Sequence, residues 1–98
     1  MHVISRRGLM KAAKNLDAAT VQELFSWFQV ARRASWESLD DIRASFPSAD
    51  RVGRVLIFDI RHNNYRLIVR HCLPRQTLFV KAVLTHKQYD RKEWLKWS

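Results

Sequence analysis

The chain has a single cysteine, Cys72, among 98 residues, which excludes an intrachain disulfide and a cysteine-based zinc site. Glycine and proline are almost as scarce, with two of each, so the chain is neither low-complexity nor collagen-like. It has no glycine-rich phosphate loop and no nucleophile-elbow pattern. No apolar run approaches the ~20 residues of a membrane span. The opening residues are basic but lack the apolar stretch of a signal peptide, so no secretory leader is expected. Acids are sparse too: 9 Asp and Glu face 18 Lys and Arg, a formal charge of +9 with a pI near 10.6. The hydrophobic share, 47%, is enough to build a core. These limits predict one soluble cytoplasmic domain over residues 1–98.

The positive charge is unevenly placed. Residues 1–50 hold seven basic side chains and six acids, whereas residues 51–98 hold eleven basic side chains and only Asp59, Asp90 and Glu93. A net of +8 in one half points to a polyanionic partner, most often nucleic acid. A merely solvated basic surface is the plainer alternative.

Periodicity places the elements. Residues 2–5 are β-prone, and residues 6–15 predict a short helix with Leu9, Met10, Ala12 and Ala13 apolar. From 18 to about 34, Val21, Leu24, Phe25, Phe28 and Ala31 recur at helical spacing. Asp17 or Thr20 can cap that helix, and Trp27 beside the stripe is expected to pack. A shorter helix follows over 38–45 with Leu39, Ile42 and Phe46 inward, ended by Pro47. The period then changes to that of strands at 52–60, 65–72 and 77–84, joined by short polar turns, with a last helical segment over 87–97. The expected fold class is α+β, a small antiparallel sheet made of a short N-terminal strand and a C-terminal three-strand meander. The N-terminal helices should pack on one face.

Alternation splits the last two strands into faces. Tyr65, Leu67 and Val69 share one side with Leu78, Val80, Ala82 and Leu84, which should meet the helices. Arg66, Ile68 and Arg70 then share the other with Phe79, Lys81 and Val83. Three cations with no carboxylate on adjacent strands suggest an open phosphate-binding face. His86 and Tyr89 follow directly, and one helical turn would set them side by side. His62 falls in a polar turn and His71 near a strand end. The four histidines are too scattered for a metal site, so no metal is expected.

Longer segments resemble a known family. Met1-His2-Val3-Ile4-Ser5, Phe46-Pro47-Ser48-Ala49-Asp50, Asn63-Asn64-Tyr65-Arg66-Leu67 and Leu84-Thr85-His86-Lys87-Gln88-Tyr89-Asp90-Arg91 are similar to segments of the HigB-type toxins in the RelE/ParE superfamily. Where that family carries a Gly-Gly turn, this chain has Arg61-His62-Asn63-Asn64. The resemblance implies a RelE-like fold. It also implies a ribosome-dependent endoribonuclease that cleaves mRNA through attack of the RNA's own 2′-OH, with no metal or small-molecule cofactor. Arg66, Arg70 and Lys81 would then stabilise the transition-state charge, and His86 and Tyr89 would supply acid–base chemistry or base stacking. Arg61, Arg75, Lys87, Arg91 and Lys92 would hold ribosomal RNA by its phosphates. The implied partners are mRNA, the ribosome and a HigA-type helix-turn-helix antitoxin in the bacterial cytoplasm, with no membrane. A non-catalytic RNA- or ribosome-binding module and a ParE-like gyrase-directed toxin are the alternatives.

Overall fold

The structure is a computed structural model that describes residues 1–4, 14–62 and 64–98. Most of the helix expected over 6–15 lies outside the described residues; Lys14 and Asn15 form a turn. The first described helix, α1 (Ala18–Arg33), starts where Asp17 accepts a hydrogen bond from the Thr20 amide. A side-chain acceptor satisfies one of the orphan donors of the first turn. The stripe that α1 buries is Thr20, Leu24, Trp27 and Ala31. Trp27 is therefore core, as expected, but Phe25 is 57% exposed and stands on the opposite side of the helix from its expected place. Ser38 caps α2 (Leu39–Ser45) through the Asp41 amide, and Ile42 is fully buried.

Five strands form a mixed sheet in the order β1-β5-β4-β3-β2. They are β1 (His2–Ile4), β2 (Asp50–Val52), β3 (Val55–Ile60), β4 (Tyr65–Cys72) and β5 (Thr77–Thr85). The meander β3-β4-β5 is antiparallel, as the sequence predicts, whereas β1 runs parallel to β5. The stretch expected as one strand over 52–60 is two, because Gly53-Arg54 reverses the chain and pairs Val52 with Val55. Gly53 has φ +57°, and a Cβ there would stand 3.1 Å from the Ser98 carbonyl carbon, so both backbone and space call for glycine. In the β3–β4 turn, Arg61 and His62 take left-handed φ values of 55° and 52°. This is the geometry that glycine usually supplies.

One face of the sheet meets α1 and α2. Phe58 lies at its centre, with edge contacts to Trp27 and Phe46, both at 5.3 Å between ring centroids, and a stacked contact to Trp36 at 6.3 Å. Leu56, Ile60, Leu67, Val69, Leu78 and Val80 complete that core. The other face is not open. After β5 the chain forms α3 (His86–Asp90), passes Lys92 at φ 59°, and makes a 3₁₀ turn over Glu93–Trp97. The helix expected over 87–97 is therefore broken in two. This tail lays Trp94 on Val55, Ile57 and Ile68 as a second core.

A bulge overturns part of the expected facing. Val69 pairs with Val80 but Ile68 pairs with Ala82, so Lys81 is an extra residue on β5. An extra residue reverses alternation beyond it. Ala82 and Leu84 accordingly pack with Trp94, while Val83 joins the helix-side core, the reverse of the sequence expectation.

Candidate functional site

Thr85 ends β5 and caps α3, accepting from the Gln88 amide while the Gln88 side chain accepts from the Thr85 amide. This reciprocal capping box orients a helix only five residues long. It fixes His86, exposed, and Tyr89 one turn later, half-buried. The Tyr89 ring stacks on Trp94 with centroids 5.2 Å apart and planes at 6°. The Trp94 Nε1–H donates to the Tyr89 carbonyl at 3.0 Å, which ties the tail to the helix. The Arg66 guanidinium lies 5.3 Å from the Tyr89 ring centroid. Burial raises the phenol pKa above its ordinary value; Arg66 opposes that shift, and Asp50, Asp59 and Asp90 add to it. Tyr89 is therefore a protonated hydrogen-bond donor at neutral pH.

Arg66 is not one of a set of carboxylate-free cations. Asp59 faces it across the β3–β4 ladder, with Oδ1 3.1 Å from the guanidinium Nε. The expectation of no carboxylate on neighbouring strands fails because β3 contributes Asp59 by its own alternation. That pairing can be read only after β3 is set in register with β4.

The structure also divides the five residues expected to act together. Arg66, His86 and Tyr89 gather at one end of the tail-covered face, where Tyr65 pairs with Thr85. Arg70 pairs with Phe79 four residues along β4, a displacement of about 13 Å at ~3.3 Å per residue. Lys81 extends from the bulge toward Phe79, with Nζ 5.9 Å from the ring centroid. Trp94, 5% exposed on Ile68, stands between the two groups. The expected continuous cationic face is therefore interrupted by an apolar tail, which α-helical periodicity alone did not reveal.

Of the cations expected to hold RNA, Lys87, Arg91 and Lys92 are exposed on and just after α3, beside the His86–Tyr89 end. Arg61 lies in the β3–β4 turn at that same end, half-buried, its amide donating to the Glu23 carboxylate. Arg75 is at the other end, exposed in the β4–β5 connection over Leu73–Arg75. Among the described residues, no three His, Cys, Asp or Glu side chains come together in a way that could hold a metal. Nor is any described helix long and apolar enough to cross a membrane. Sequence reasoning missed Asp59, for which the β3–β4 register carries the signal.

A small mixed sheet with helices on one face and a Tyr-bearing tail on the other is consistent with a RelE-like fold. The sequence profile of the HigB toxin family, a RelE-like toxic component of a toxin-antitoxin system, matches residues 20–92. The chain belongs to this family. It is 24% identical over 94 residues to the mRNA interferase HigB of Escherichia coli O6:H1, covering 93% of this chain and 90% of that protein. It is 25% identical over 93 residues to the mRNA interferase toxin HigB of Escherichia coli K12, covering 92% and 88%. The mRNA interferase HigB of Shigella flexneri matches to the same extent.

Proposed function

We propose that the chain is the toxin of a type II toxin–antitoxin module and acts as an endoribonuclease on mRNA engaged with the ribosome, its partner a HigA-type antitoxin. The observation that carries this reading is the Arg66–Tyr89–His86 group. It places a fixed guanidinium, a protonated phenol and an exposed imidazole at one end of the sheet. RNA supplies its own nucleophile. The 2′-oxygen attacks the adjacent phosphorus, the P–O5′ bond breaks, and a 2′,3′-cyclic phosphate and a 5′-hydroxyl result. His86 takes the 2′-OH proton, since an exposed imidazole is the side chain here best suited to accept it. Tyr89 donates its proton to the departing 5′-oxygen. Arg66, oriented by Asp59, meets the charge that builds on the non-bridging phosphate oxygens.

This division changes one expectation about Tyr89. The resemblance offers Tyr89 either acid–base chemistry or base stacking, but Trp94 and Arg66 already lie over the ring. The hydroxyl is what Tyr89 has left to offer. Arg70 and Lys81 are too far along the sheet to share the same phosphate and instead hold the RNA beside it, while Lys87, Arg91, Lys92 and Arg61 contact ribosomal phosphates.

The test is inducible expression followed by mapping of mRNA 5′ ends, with Tyr89→Phe and His86→Gln at matched protein levels. Acid–base groups contribute about 10²–10⁴-fold, so each variant should cut far more slowly while still cosedimenting with ribosomes. Growth arrest with intact mRNA and inhibited gyrase supercoiling would refute the reading in favour of a gyrase-directed toxin. Full cleavage by Tyr89→Phe would remove the phenol from the mechanism.

A further inference from the structure

The chemistry is confined to one end of the tail-covered face, and the opposite end has so far only a general RNA-holding part through Arg70 and Lys81. There the β2–β3 turn and the β4–β5 connection flank an open groove of about 690 Å³, lined by Arg51, Arg54, Arg70, His71 and Phe79 with Glu37. Arg51 and Arg54 are exposed and Arg70 half-buried. The ion pairs found among the described residues are Arg43–Asp50 and Arg66–Asp59, so none of these three guanidiniums has a carboxylate partner there. Like charges brought into one groove repel. An arrangement that tolerates the repulsion is suited to an anion that relieves it.

Hydrogen bonds from His71 hold the turn that carries Arg54 against β4. The His71 amide donates to the Arg54 carbonyl at 2.8 Å, and its ring Nε2 lies 3.3 Å from the Gly53 carbonyl. His71 thereby clamps the left-handed Gly53 turn against β4 and sets Arg54 beside Arg70. Its Nδ1 is buried with no partner. Burial keeps the imidazole below its ordinary pKa; the Gly53 carbonyl opposes the shift and the Arg51 charge adds to it. His71 is therefore a neutral brace and not a fourth cation. Phe79, opposite Arg70 in register, supplies an apolar surface on which Lys81 already lies.

The geometry points to a second RNA subsite in this groove, one that holds a nucleotide of single-stranded RNA with its phosphate on Arg51, Arg54 and Arg70 and its base against Phe79. The volume is that of a small-ligand pocket rather than of a lone inorganic anion. An aromatic surface has a use for an unpaired base, whereas a duplex offers mainly its backbone. Arg66 and Arg70 are about 13 Å apart along β4. That is three or four stacked nucleotides at ~3.4 Å each, so a strand cut at the Tyr89 end reaches this groove a few nucleotides away. The inference rests on RNA being the substrate and adds where the strand flanking the cut is held.

The experiment is fluorescence anisotropy with a short, fully 2′-O-methylated oligoribonucleotide, which cannot be cleaved through its 2′-oxygen, and with the same strand annealed to its complement. Wild-type protein should prefer the single strand. Arg51→Gln and Arg54→Gln should each weaken single-strand binding by about tenfold at low salt and lower the salt slope by ~0.7 per lost phosphate contact. Phe79→Leu should weaken the single strand at least about fivefold and leave the duplex unchanged. Arg51 and Arg54 are exposed, so unchanged melting curves are expected and confirm that binding alone was altered. Equal affinity for both RNAs, or variants that bind like wild type, would overturn the subsite. The two readings fail separately. If wild-type cells show no mRNA cuts but these variants still lose oligonucleotide binding, the nuclease reading falls and the subsite stands. If mRNA is cut while Arg51 and Arg54 are irrelevant to binding, only the subsite falls.

Discussion

Asp59→Asn tests whether the carboxylate holds Arg66 in its place beside Tyr89. The substitution keeps the side chain's shape and an acceptor oxygen for the guanidinium Nε but removes the negative charge. Two unit charges 4 Å apart attract by about 4 kcal/mol at an effective dielectric constant of 20. The Arg66 and Asp59 side chains retain 13% and 31% of their exposure. Water therefore screens part of the attraction, and the cost of desolvating both groups offsets more, leaving about 1–2 kcal/mol. For a domain of this size each kcal/mol moves Tm by ~4–8 °C, so a drop of roughly 5–15 °C is expected. Urea unfolding followed by tryptophan fluorescence measures the same loss and suits a chain with four tryptophans, of which Trp94 packs on this site. The decisive form is a double-mutant cycle with Arg66→Gln. If the two groups interact, the double variant should be about 1 kcal/mol less destabilised than the sum of the singles. Cleavage by Asp59→Asn should slow through the chemical step with ribosome binding unchanged, because a misaligned guanidinium is missed mainly in the transition state. Additivity within ~0.5 kcal/mol, together with normal cleavage, would sink the claim that Asp59 orients Arg66.

Three further perturbations probe the scaffold. Phe58→Ala should cost about 3–5 kcal/mol in urea unfolding, since the ring meets Trp27, Trp36 and Phe46 at the core's centre; a loss under ~2 kcal/mol would contradict that packing. Gly53→Ala should lose about 1–2 kcal/mol to the left-handed backbone alone, with more from the 3.1 Å approach to Ser98, and an unchanged midpoint would refute the need for glycine at this turn. His71 has a lowered pKa from burial. Between its folded value and 6.5 the unfolded chain binds more protons than the folded one, so stability falls as pH drops from 7 through that window. His71→Gln should flatten this part of the profile, and an identical pH dependence in the variant would remove His71 as its source.

The helical half of the fold was legible because its signals are local. Asp17 caps α1 as its position suggests, and Pro47 follows the second helix. The 3.6-residue stripe still misplaced Phe25, because a stripe of five apolar residues is wider than the seam that α1 buries, and tertiary packing chose the Trp27 side. The division of 52–60 into two strands hangs on Gly53, whose left-handed φ turns a continuous β-type run into a hairpin. Glycine inside such a run was the available sign.

The site was less legible, and the reason is specific. Face assignment by alternation is sound only while the ladder is regular, and β5 gains a residue at Lys81. Upstream of that residue, the expected placement of Leu78, Val80 and Phe79 holds; downstream, Ala82, Val83 and Leu84 are all inverted. The inversion is what adds Ala82 and Leu84 to Ile68 on the side the helices leave uncovered, and that apolar patch is what Trp94 covers. The bulge, the tail and the broken cationic face are thus linked. Restoring regular pairing by deleting Lys81 should turn Ala82 and Leu84 away from Trp94, free the tail and expose the Tyr89 ring. Trp94 fluorescence would shift to the red and limited proteolysis would clip near Lys92. A deletion variant that keeps a buried Trp94 would show that the tail docks independently of the bulge.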